Sequence, residues 1–336
     1  METLLAKPSE QIIEKACELI REKQVVALPT ETVYGLFADA TNSHACENIF
    51  KAKERPMDNP LIVHICDYEM LNKVAAEVTE DAMKLANEFW PGPLTMILKK
   101  SDLIPQEVSA GLDTVGIRMP RTPVILEIIS KTGLPLAGPS ANRSGRPSPT
   151  NAQYVYEDLK DRIPMIIDDG SCDVGVESTV VSLVGEKPII FRPGYVTQSQ
   201  ISAVLGKEVE LSKGITEELL SDDKVLSPGL KHKHYAPKAE VTIINASFEK
   251  YKEKVEKDKA VAMCFEEYVA KLNCKCVSYG KEGDSASQAV ELFTALRHLD
   301  EIGAKKVYAI MPTMDDIGLA VYNRLLRSAE FRVINL

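Results

Sequence analysis

Short apolar runs, closely spaced along the first 200 residues, constrain the fold of this 336-residue chain more than any other feature. Runs of three to five apolar residues with β-branched members are typical of buried strands. Helical patterns separate some runs, whereas other connections are too short for a crossover helix. The runs 179–183 and 189–191 are five residues apart, with a glycine between them, which predicts an antiparallel hairpin. The pattern therefore predicts an α/β domain with a twisted, mixed sheet.

The element boundaries follow from the same periodicity. Strands are predicted at 25–28, 61–65, 94–98, 115–119, 134–137, 165–167, 179–183 and 189–191. Helices are predicted at 9–22, 47–53, 81–89, 124–130 and 152–159, where apolar residues recur every three or four positions.

A polar stretch separates this pattern from a second one. Residues 207–238 contain Ser227-Pro228-Gly229 and end in a His- and Tyr-containing segment, so they are predicted to form a linker. Beyond it, strands at 241–244, 260–265, 275–278 and 306–311 alternate with helices at 286–299 and 317–328. The chain is therefore divided into an α/β domain at 1–206, a linker at 207–238 and a small Rossmann-like α/β domain at 239–336. The last domain lacks a Gly-x-Gly-x-x-Gly loop, so no dinucleotide site is predicted there.

Charge and composition narrow the classes of protein. The net charge is −9, of which residues 1–200 carry −8, and proteins that bind along bulk nucleic acid are usually basic. No apolar run approaches the roughly 18 residues of a membrane helix, and the first residues do not resemble a signal peptide. The seven cysteines include no Cys-x-x-Cys pair, which favours free thiols. We expect a cytoplasmic protein that makes no contact with membranes.

Polar residues cluster directly after several predicted strands. Segment 29–36, Pro-Thr-Glu-Thr-Val-Tyr-Gly-Leu, places hydroxyls and a carboxylate after an apolar run. These groups suit a small polar ligand, but a helix N-cap beside a core tyrosine would use the same residues. His64 ends another strand, where a histidine is more often a structural residue than a catalyst. The segment 136–145 is rich in glycine, serine and asparagine, and its backbone N–H groups could cradle phosphate.

Cations accompany these segments. Arg118 lies in an otherwise apolar strand, where a buried guanidinium requires an anion. Lys51, Lys53 and Arg55 fall within five residues, and Arg192 follows the strand at 189–191. Arginine binds carboxylate or phosphate through two nitrogens, and lysine neutralises them as a point charge. These residues predict an anion-binding cleft with a nucleotide as ligand, but their spacing does not identify a reaction.

In this order, the segments resemble the YrdC-like L-threonylcarbamoyladenylate synthases. The matching segments are 29–36, 51–61, Trp-Pro-Gly-Pro-Leu-Thr at 90–95, Val-Gly-Ile-Arg-Met-Pro at 115–120, 138–145, Glu-Ser-Thr-Val-Val at 177–181 and Phe-Arg-Pro-Gly at 191–194. Ser227-Pro228-Gly229 and His234-Tyr235-Ala236-Pro237 match the long, two-domain form of the family. The resemblance thus covers nearly the whole chain and implies a YrdC-like domain with a concave cleft.

The resemblance also implies a reaction. L-Threonine, bicarbonate or CO2, and ATP would give L-threonylcarbamoyladenylate and pyrophosphate, with Mg2+ entering on ATP. This nucleotidyltransferase step would begin N6-threonylcarbamoyladenosine formation in tRNA. A separate tRNA threonylcarbamoyl transferase would receive the product, and a weak contact of this chain with tRNA stays open.

Site residues are carried over on the matching motifs. The threonine group would comprise Thr32, Tyr34, His64, Arg118, Gly138 and Ser178. The ATP group would comprise Lys51, Arg55, Asn59, Thr114, Ser140, Asn142, Ser148, Arg192 and Tyr235. No protein metal site is expected. Tyr235 is expected to fold back over the nucleotide, which would make the linker a lid; the alternative is a strip that only ties the domains together.

Other classes of function are less consistent with the sequence. An RNA-binding module would use the basic cluster, but the acidic balance of residues 1–200 opposes it. A related enzyme that uses carbamoyl phosphate would carry an acylphosphatase-like region and zinc-finger cysteines, which this chain lacks. A regulatory protein with a degenerate site is disfavoured by the full set of polar residues.

Overall fold

The computed structural model of the chain describes residues 2–217 and 235–336. Within these ranges the strands form two sheets, one of eleven strands and one of five. None of the helices in the described part is long and apolar enough to cross a membrane. All seven cysteines lie in the described part and are free thiols, which confirms that prediction.

The eleven-stranded sheet builds the first domain. Its strands are β1 (Leu4–Ala6), β2 (Val26–Leu28), β3 (Gly35–Asp39), β4 (Ile62–His64), β5 (Leu94–Lys99), β6 (Thr114–Arg118), β7 (Leu136–Gly138), β8 (Met165–Ile167), β9 (Thr179–Ser182), β10 (Ile189–Arg192) and β11 (Glu210–Leu211). They lie in the order β1-β8-β2-β3-β7-β4-β6-β5-β9-β10-β11. The sheet contains both parallel pairs, such as β4 with β6, and antiparallel pairs, such as β5 with β6. The predicted mixed sheet and the β9–β10 hairpin are confirmed.

Helices cover this sheet and bury their apolar stripes against it. They are α1 (Glu10–Arg21), α2 (Ser43–Lys53), α3 (Tyr68–Val74), α4 (Glu80–Phe89), α5 (Gln106–Ser109), α6 (Pro123–Thr132), α7 (Ala152–Leu159) and α8 (Gln198–Leu205), followed by a 3-10 turn at Lys213–Ile215. Helix α1 begins where the Ser9 side chain accepts from the Ile12 N–H, and it buries Ile13, Ala16 and Ile20.

The second sheet is entirely parallel. It contains β12 (Glu240–Asn245), β13 (Val261–Cys264), β14 (Cys276–Ser278), β15 (Lys306–Ile310) and β16 (Val333–Asn335), in the order β14-β13-β15-β12-β16. Helices α9 (Phe248–Asp258), α10 (Glu266–Val269), α11 (Ser285–Glu301) and α12 (Asp316–Ser328) connect its strands. This alternation is the Rossmann-like arrangement predicted from the sequence.

The two domains share apolar contacts. Val33, Val174 and Val176 of the first domain belong to the core cluster of the second domain. Gly175 has φ +79°, and a Cβ added there would lie 2.3 Å from the Val290 Cα of α11. Segment 174–176 is therefore packed closely against the second domain, and only glycine fits at its centre.

The predicted linker contains part of the first sheet. Strand β11 pairs in parallel with β10, so the sheet continues to Leu211, inside the segment 207–238. Ser227-Pro228-Gly229, His234 and most of the predicted lid lie outside the described residues. The other domain limits stay predictions.

Candidate functional site

Strand ends of the first sheet converge on one pocket. Strands β4 and β6 are parallel neighbours, and their register places His64 opposite Arg118 at the ends of the two strands. The pocket encloses about 670 Å³ when the space open to solvent is included. Its lining consists of Thr30, Thr32, Val33, Gly35, Phe37, Arg55, Pro60, Ile62, His64, Arg118, Gly138, Pro139, Ser140, Asn142, Glu177, Ser178, Arg192 and Tyr235.

Arg118 is held by groups from two segments, one around Thr32 and the other at Gly92. Its Nη1 donates to Thr32 Oγ1 at 2.9 Å, and its Nε donates to the Gly92 carbonyl at 3.3 Å. Its Nη2 lies 2.7 Å from Glu31 Oε1 in a buried ion pair. The anion that the buried arginine requires is thus supplied internally by Glu31. The hydrogen bonds to Thr32 and Gly92 fix the guanidinium plane where it lines the pocket, whereas Glu31 contributes its charge, because Glu31 Oε1 and Arg118 Nη2 have no hydrogen-bond partner among the described residues.

Arg192 lies at the end of β10 and is organised by Ser178. Its Nε donates to the Ser178 carbonyl at 3.0 Å, and its Nη2 donates to Ser178 Oγ at 3.1 Å. Ser178 Oγ also lies 2.8 Å from Thr95 Oγ1. Burial lowers the pKa of Arg192, and the nearby Glu177 carboxylate opposes that change. A buried guanidinium in this position favours an anionic ligand.

Arg55 contributes a third cation. Its Nη2 donates to the Asn59 carbonyl at 3.4 Å, whereas its buried Nε has no hydrogen-bond partner among the described residues. Burial lowers the pKa of Arg55 to about 10. The group stays charged at neutral pH, and an anion in the pocket would satisfy its remaining donor.

His64 is neutral in this environment. Burial, and then the charge of Arg118, lower the pKa of His64 to about 3. Its Nδ1 lies 3.1 Å from the Ile62 carbonyl, and its ring packs edge-on against Phe37 at a centroid distance of 4.9 Å. The imidazole therefore shapes the pocket as an uncharged group.

Lys53 holds the loop that carries Ser140 and Asn142. The Lys53 ammonium donates to the main-chain carbonyls of Ser140 and Asn142, and Ser140 Oγ donates to Asn142 Oδ1 at 2.5 Å. Burial lowers the pKa of Lys53 well below its ordinary value. Lys53 is absent from the lining, and its observed contacts hold this loop; its expected place in the anion-binding cleft stays a prediction.

Gly138 lets two segments approach each other closely. A Cβ at this position would lie 2.5 Å from Phe37 Cδ1 and 2.6 Å from the Leu36 carbonyl. No larger residue fits unless β3 and β7 separate.

Tyr235 enters the pocket from the segment that precedes the second domain. Its side chain is buried, and its ring lies 5.2 Å from that of Phe293 in α11. The next residue, Ala236, donates its N–H to the Gly145 carbonyl at 3.0 Å. Burial raises the pKa of Tyr235, so its hydroxyl stays protonated at neutral pH.

The structure brings ten of the predicted site residues into the pocket lining. They are Thr32, His64, Arg118, Gly138, Ser178, Arg55, Ser140, Asn142, Arg192 and Tyr235. The other five lie outside this lining, and their contacts with ligands stay predictions.

Two of these five have hydroxyl groups that already hold internal partners. The Tyr34 hydroxyl donates to the Gly170 carbonyl at 2.6 Å, and the Ser148 hydroxyl donates to Glu177 Oε1 at 2.6 Å. Their observed contacts are structural because both hydroxyl protons are used within the protein.

The remaining three differ in exposure. Lys51 is exposed on α2 and pairs with Glu47 at 3.2 Å. Thr114 begins β6, opposite Lys99 of β5. Asn59 is fully buried, and neither atom of its side-chain amide has a partner among the described residues.

Thr30, Phe37 and Glu177 line the pocket but were not predicted as site residues. Thr30 Oγ1 lies 2.9 Å from Thr32 Oγ1. Thr30 and Glu177 fall inside quoted motifs, so their polarity was a usable signal. Phe37 is an apolar residue of β3, and nothing in the sequence distinguishes it from the core.

The described residues contain no cluster of three or more His, Cys, Asp or Glu side chains that could hold a metal ion. The pocket thus combines three arginines, several hydroxyls and close-packed loops at the strand ends of a mixed α/β sheet. These features define a protein of the class that binds small anionic molecules in a cleft.

Comparisons with known proteins identify the family. A family model described as telomere recombination, covering Sua5, YciO and YrdC, matches residues 18–194, and a model of the threonylcarbamoyl-AMP synthase C-terminal domain matches 196–330. The threonylcarbamoyl-AMP synthase of Pyrococcus abyssi is 41% identical, over 96% of this chain and 95% of that protein. The Bacillus subtilis protein of the same name is 42% identical, over 96% and 94%.

A solved structure has the same two-domain fold. Pyrococcus abyssi Sua5 complexed with L-threonine matches with a TM-score of 0.92 and 39% identity, over 100% of this chain and 99% of that one. This chain belongs to the two-domain threonylcarbamoyl-AMP synthase family. The family and the fold predicted from the sequence are confirmed.

Proposed function

We propose that this chain forms L-threonylcarbamoyladenylate and pyrophosphate from L-threonine, bicarbonate or CO2, and ATP. The observation that carries the proposal is a pocket in which three arginines face one small cavity, in a chain that shares its full architecture with relatives named for this product. We assign the chain to the nucleotidyltransferases, because the reaction transfers an adenylyl group.

The threonine end of the pocket would be built around Arg118. Its guanidinium is fixed by Thr32 and Gly92 and presents a planar surface suited to a carboxylate. Neutral His64, the backbone at Gly138 and the Ser178 hydroxyl complete the predicted contacts to the amino acid. A solved relative that is complexed with L-threonine supports threonine as the amino-acid substrate.

The nucleotide end would be built around Arg55 and Arg192. Arg192 is a buried cation and Arg55 a partly buried one, and Ser140, Asn142 and Tyr235 lie beside them in the lining. Asn59 adjoins the lining at Pro60, and its unpartnered buried amide would gain hydrogen bonds from a ligand. Thr114 and Ser148 stay predicted contacts to ATP, and Tyr34 stays a predicted contact to threonine; each would require a rearrangement of side chains. The predicted contact of Lys51 with ATP lacks structural support, because Lys51 is exposed and pairs with Glu47.

The chemistry proposed is displacement at the α-phosphorus of ATP. The threonine nitrogen adds to CO2 and loses a proton, which gives a carbamate. A carbamate oxygen then forms the new bond to the α-phosphorus as the bond to pyrophosphate breaks. The arginines position the two anions and offset the charge that develops on the leaving group. Mg2+ is proposed to enter as part of the nucleotide substrate, held by phosphate oxygens and water.

We infer that the product passes to a tRNA threonylcarbamoyl transferase in the cytoplasm. A mixed carbamic-phosphoric anhydride reacts readily with water, so prompt consumption by a second enzyme fits its chemistry. The proposal assigns no stable tRNA complex to this chain, whose net charge of −9 opposes binding along a polyanion.

Mass spectrometry with labelled substrate tests the proposal. The purified protein is incubated with MgATP, L-threonine and 13C-bicarbonate, and then the small molecules are separated. We expect a species that contains AMP, threonine and one labelled carbon, and that is lost when L-serine replaces L-threonine at equal concentration. AMP or ADP without the adduct would contradict the proposal.

A further inference from the structure

One arginine of the second domain reaches the wall of the pocket in the first. Arg324 lies on α12 and is completely buried. Its Nε donates to Glu177 Oε2 at 2.9 Å, and its Nη2 donates to the Glu177 carbonyl at 3.1 Å. Its Nη1 donates to the Pro193 carbonyl, the residue after Arg192. Arg324 therefore holds both segments that carry Ser178 and Arg192.

Both carboxylate oxygens of Glu177 accept hydrogen bonds from the protein. Its Oε1 accepts from Ser148 Oγ at 2.6 Å, and its Oε2 accepts from Arg324. The carboxylate lines the pocket, but its two oxygens are already engaged. Glu177 is thus part of the pocket wall, and it would act on an anionic ligand through its negative charge.

Two of the four charged residues in the described lining are paired with a charge outside it. Among the described lining residues, Arg55, Arg118 and Arg192 are cationic, and Glu177 is the one acid. Arg118 is paired with Glu31, and Glu177 is paired with Arg324. Arg192 donates only to Ser178 in the observed contacts. The pairing of Glu177 leaves Arg192 for an anionic ligand.

We propose that Arg324 is a positioning residue for ATP binding: it neutralises Glu177 and so reserves Arg192 for the nucleotide phosphates. This inference rests on the proposed function. It gives the second domain a direct part in the site, because the neutralising charge comes from α12. Without Arg324, a buried carboxylate would face the phosphates and compete with them for Arg192.

The size of the effect follows from Coulomb's law. One uncompensated charge several ångströms from a phosphate, across a partly buried site, weakens binding by about ten- to a hundredfold. The threonine end is anchored by Arg118 with its own partner Glu31, so threonine binding should change little.

A pH profile separates charge from packing. The groups that face Glu177 are Arg324 from α12, Arg192 from β10, and Tyr235 and Ser148 from two loops. Burial raises the pKa of Glu177, but Arg324, Arg192 and Ser148 together hold it below its ordinary value. Removing Arg324 removes one of the contacts that lower the pKa of Glu177. The effect of burial then weighs more, and the pKa of Glu177 rises. Protonation of Glu177 at lower pH should then remove its negative charge and restore ATP binding in a variant that lacks Arg324.

The experiment measures KM for MgATP and for L-threonine by pyrophosphate release. The variants are Arg324→Gln, Arg324→Lys and the double variant Arg324→Gln/Glu177→Gln. Arg297→Gln is the matched control, because Arg297 is also buried in the second domain and pairs with a first-domain acid, Asp158, that is absent from the lining. Thermal unfolding of each variant is recorded alongside.

We expect Arg324→Gln to raise KM for ATP about tenfold or more, and KM for threonine less than about threefold. The ratio of variant to wild-type KM for ATP should fall as pH is lowered from about 8 to about 6. The double variant, which lacks both charges, should recover most of the lost affinity. Arg297→Gln should lower thermal stability but leave KM for ATP within about threefold.

Several outcomes would overturn the inference. These are an unchanged KM for ATP in Arg324→Gln, an equal rise in Arg297→Gln, or no recovery in the double variant. If Arg324→Gln fails to fold, Arg324→Lys decides: it keeps the charge, so a wild-type KM for ATP supports the inference and a tenfold rise overturns it. Absence of pyrophosphate release by the wild-type protein would instead remove the proposed function.

Discussion

At the scale of single residues, the pocket is organised by charges that are paired before any ligand arrives. Arg118 and Glu31 are both almost completely buried and lie 2.7 Å apart, with Thr32 holding the guanidinium from the side. Breaking such a pair leaves one buried charge without a partner and costs about 3–5 kcal/mol. Substitutions that keep the charge are therefore the informative ones.

Arg118→Lys tests the threonine assignment. Lysine keeps the positive charge but cannot hold Thr32, Gly92 and Glu31 in one plane. We expect KM for threonine to rise at least about tenfold and KM for ATP to change less than about threefold, as measured by steady-state pyrophosphate release. Arg121→Lys is the control, because Arg121 is half-exposed and pairs with Asp173 outside the pocket. Equal threonine KM values in both variants would remove Arg118 from the threonine site.

His64 gives a prediction about pH. Burial, followed by Arg118, lowers the pKa of His64 to about 3, whereas an unfolded histidine titrates near 6.5. Below about pH 6.5 the unfolded state binds a proton that the folded state does not, so this group destabilises the protein as pH falls. His64→Gln should therefore lose less unfolding free energy than wild type between about pH 6.5 and 5 in urea titrations. Parallel pH dependence in the two proteins would show that His64 is not held neutral.

At the scale of elements, the end of α2 holds the loop at residues 140–142, which lies at the proposed nucleotide end of the pocket. Lys51 and Lys53 are two residues apart, and the helix turns them to different surroundings. Lys53 is buried against the Ser140 and Asn142 carbonyls, whereas Lys51 pairs with Glu47 at the surface.

This contrast supplies a matched pair of variants. Lys53→Met removes the donor that holds both carbonyls and should raise KM for ATP about tenfold or more, with a loss of about 2 kcal/mol or more in unfolding free energy. Lys51→Met should leave both quantities near wild type, since exposed ion pairs contribute little. Pyrophosphate release and urea unfolding measure the two effects. A larger KM effect in Lys51→Met would reverse these roles and restore the earlier assignment of Lys51 to ATP.

The elements that could be predicted from the sequence were those with clear apolar periodicity. Strands such as β5 and β12 and helix α1 fall within a few residues of their predicted positions. Strand β3 was missed, because its Gly35 start follows a polar motif that also suits a turn. Strand β1 has three residues and pairs with β8, about 160 positions later, so its existence depends on a distant partner.

The sequence predicted which loops form the site better than it predicted where their side chains point. The motifs marked which segments meet, and Arg118, Arg192 and Ser178 do line one pocket. The direction of each side chain depends on contacts from elsewhere, as Tyr34 shows by pointing its hydroxyl at Gly170. Arg324 carried no signal at all, since its partner Glu177 lies 147 positions away.

At the scale of the whole molecule, the domains are joined by buried groups. Val33, Val174 and Val176 pack into the second core, and Arg297 pairs with Asp158 across the interface. The second domain thus contacts the first at the pocket wall through Arg324, and outside the pocket lining through Arg297, which donates to the Pro147 carbonyl.

Unfolding should consequently be cooperative across both domains. We expect a single calorimetric transition, with a calorimetric enthalpy close to the van't Hoff enthalpy, because the second core contains Val33, Val174 and Val176 of the first domain. Arg297→Gln should move the whole transition to lower temperature without splitting it. Two resolved transitions in the wild-type protein would contradict this coupling.

Pyrophosphate release from MgATP, with L-threonine and bicarbonate each present or omitted, is the most direct test of the proposed synthase reaction. The proposed function predicts release above background only when all three substrates are present, in CO2-depleted buffer for the bicarbonate omission. Release that is independent of threonine would indicate another acceptor or simple hydrolysis. A folded protein that binds ATP but releases no pyrophosphate under any of these conditions would contradict the account.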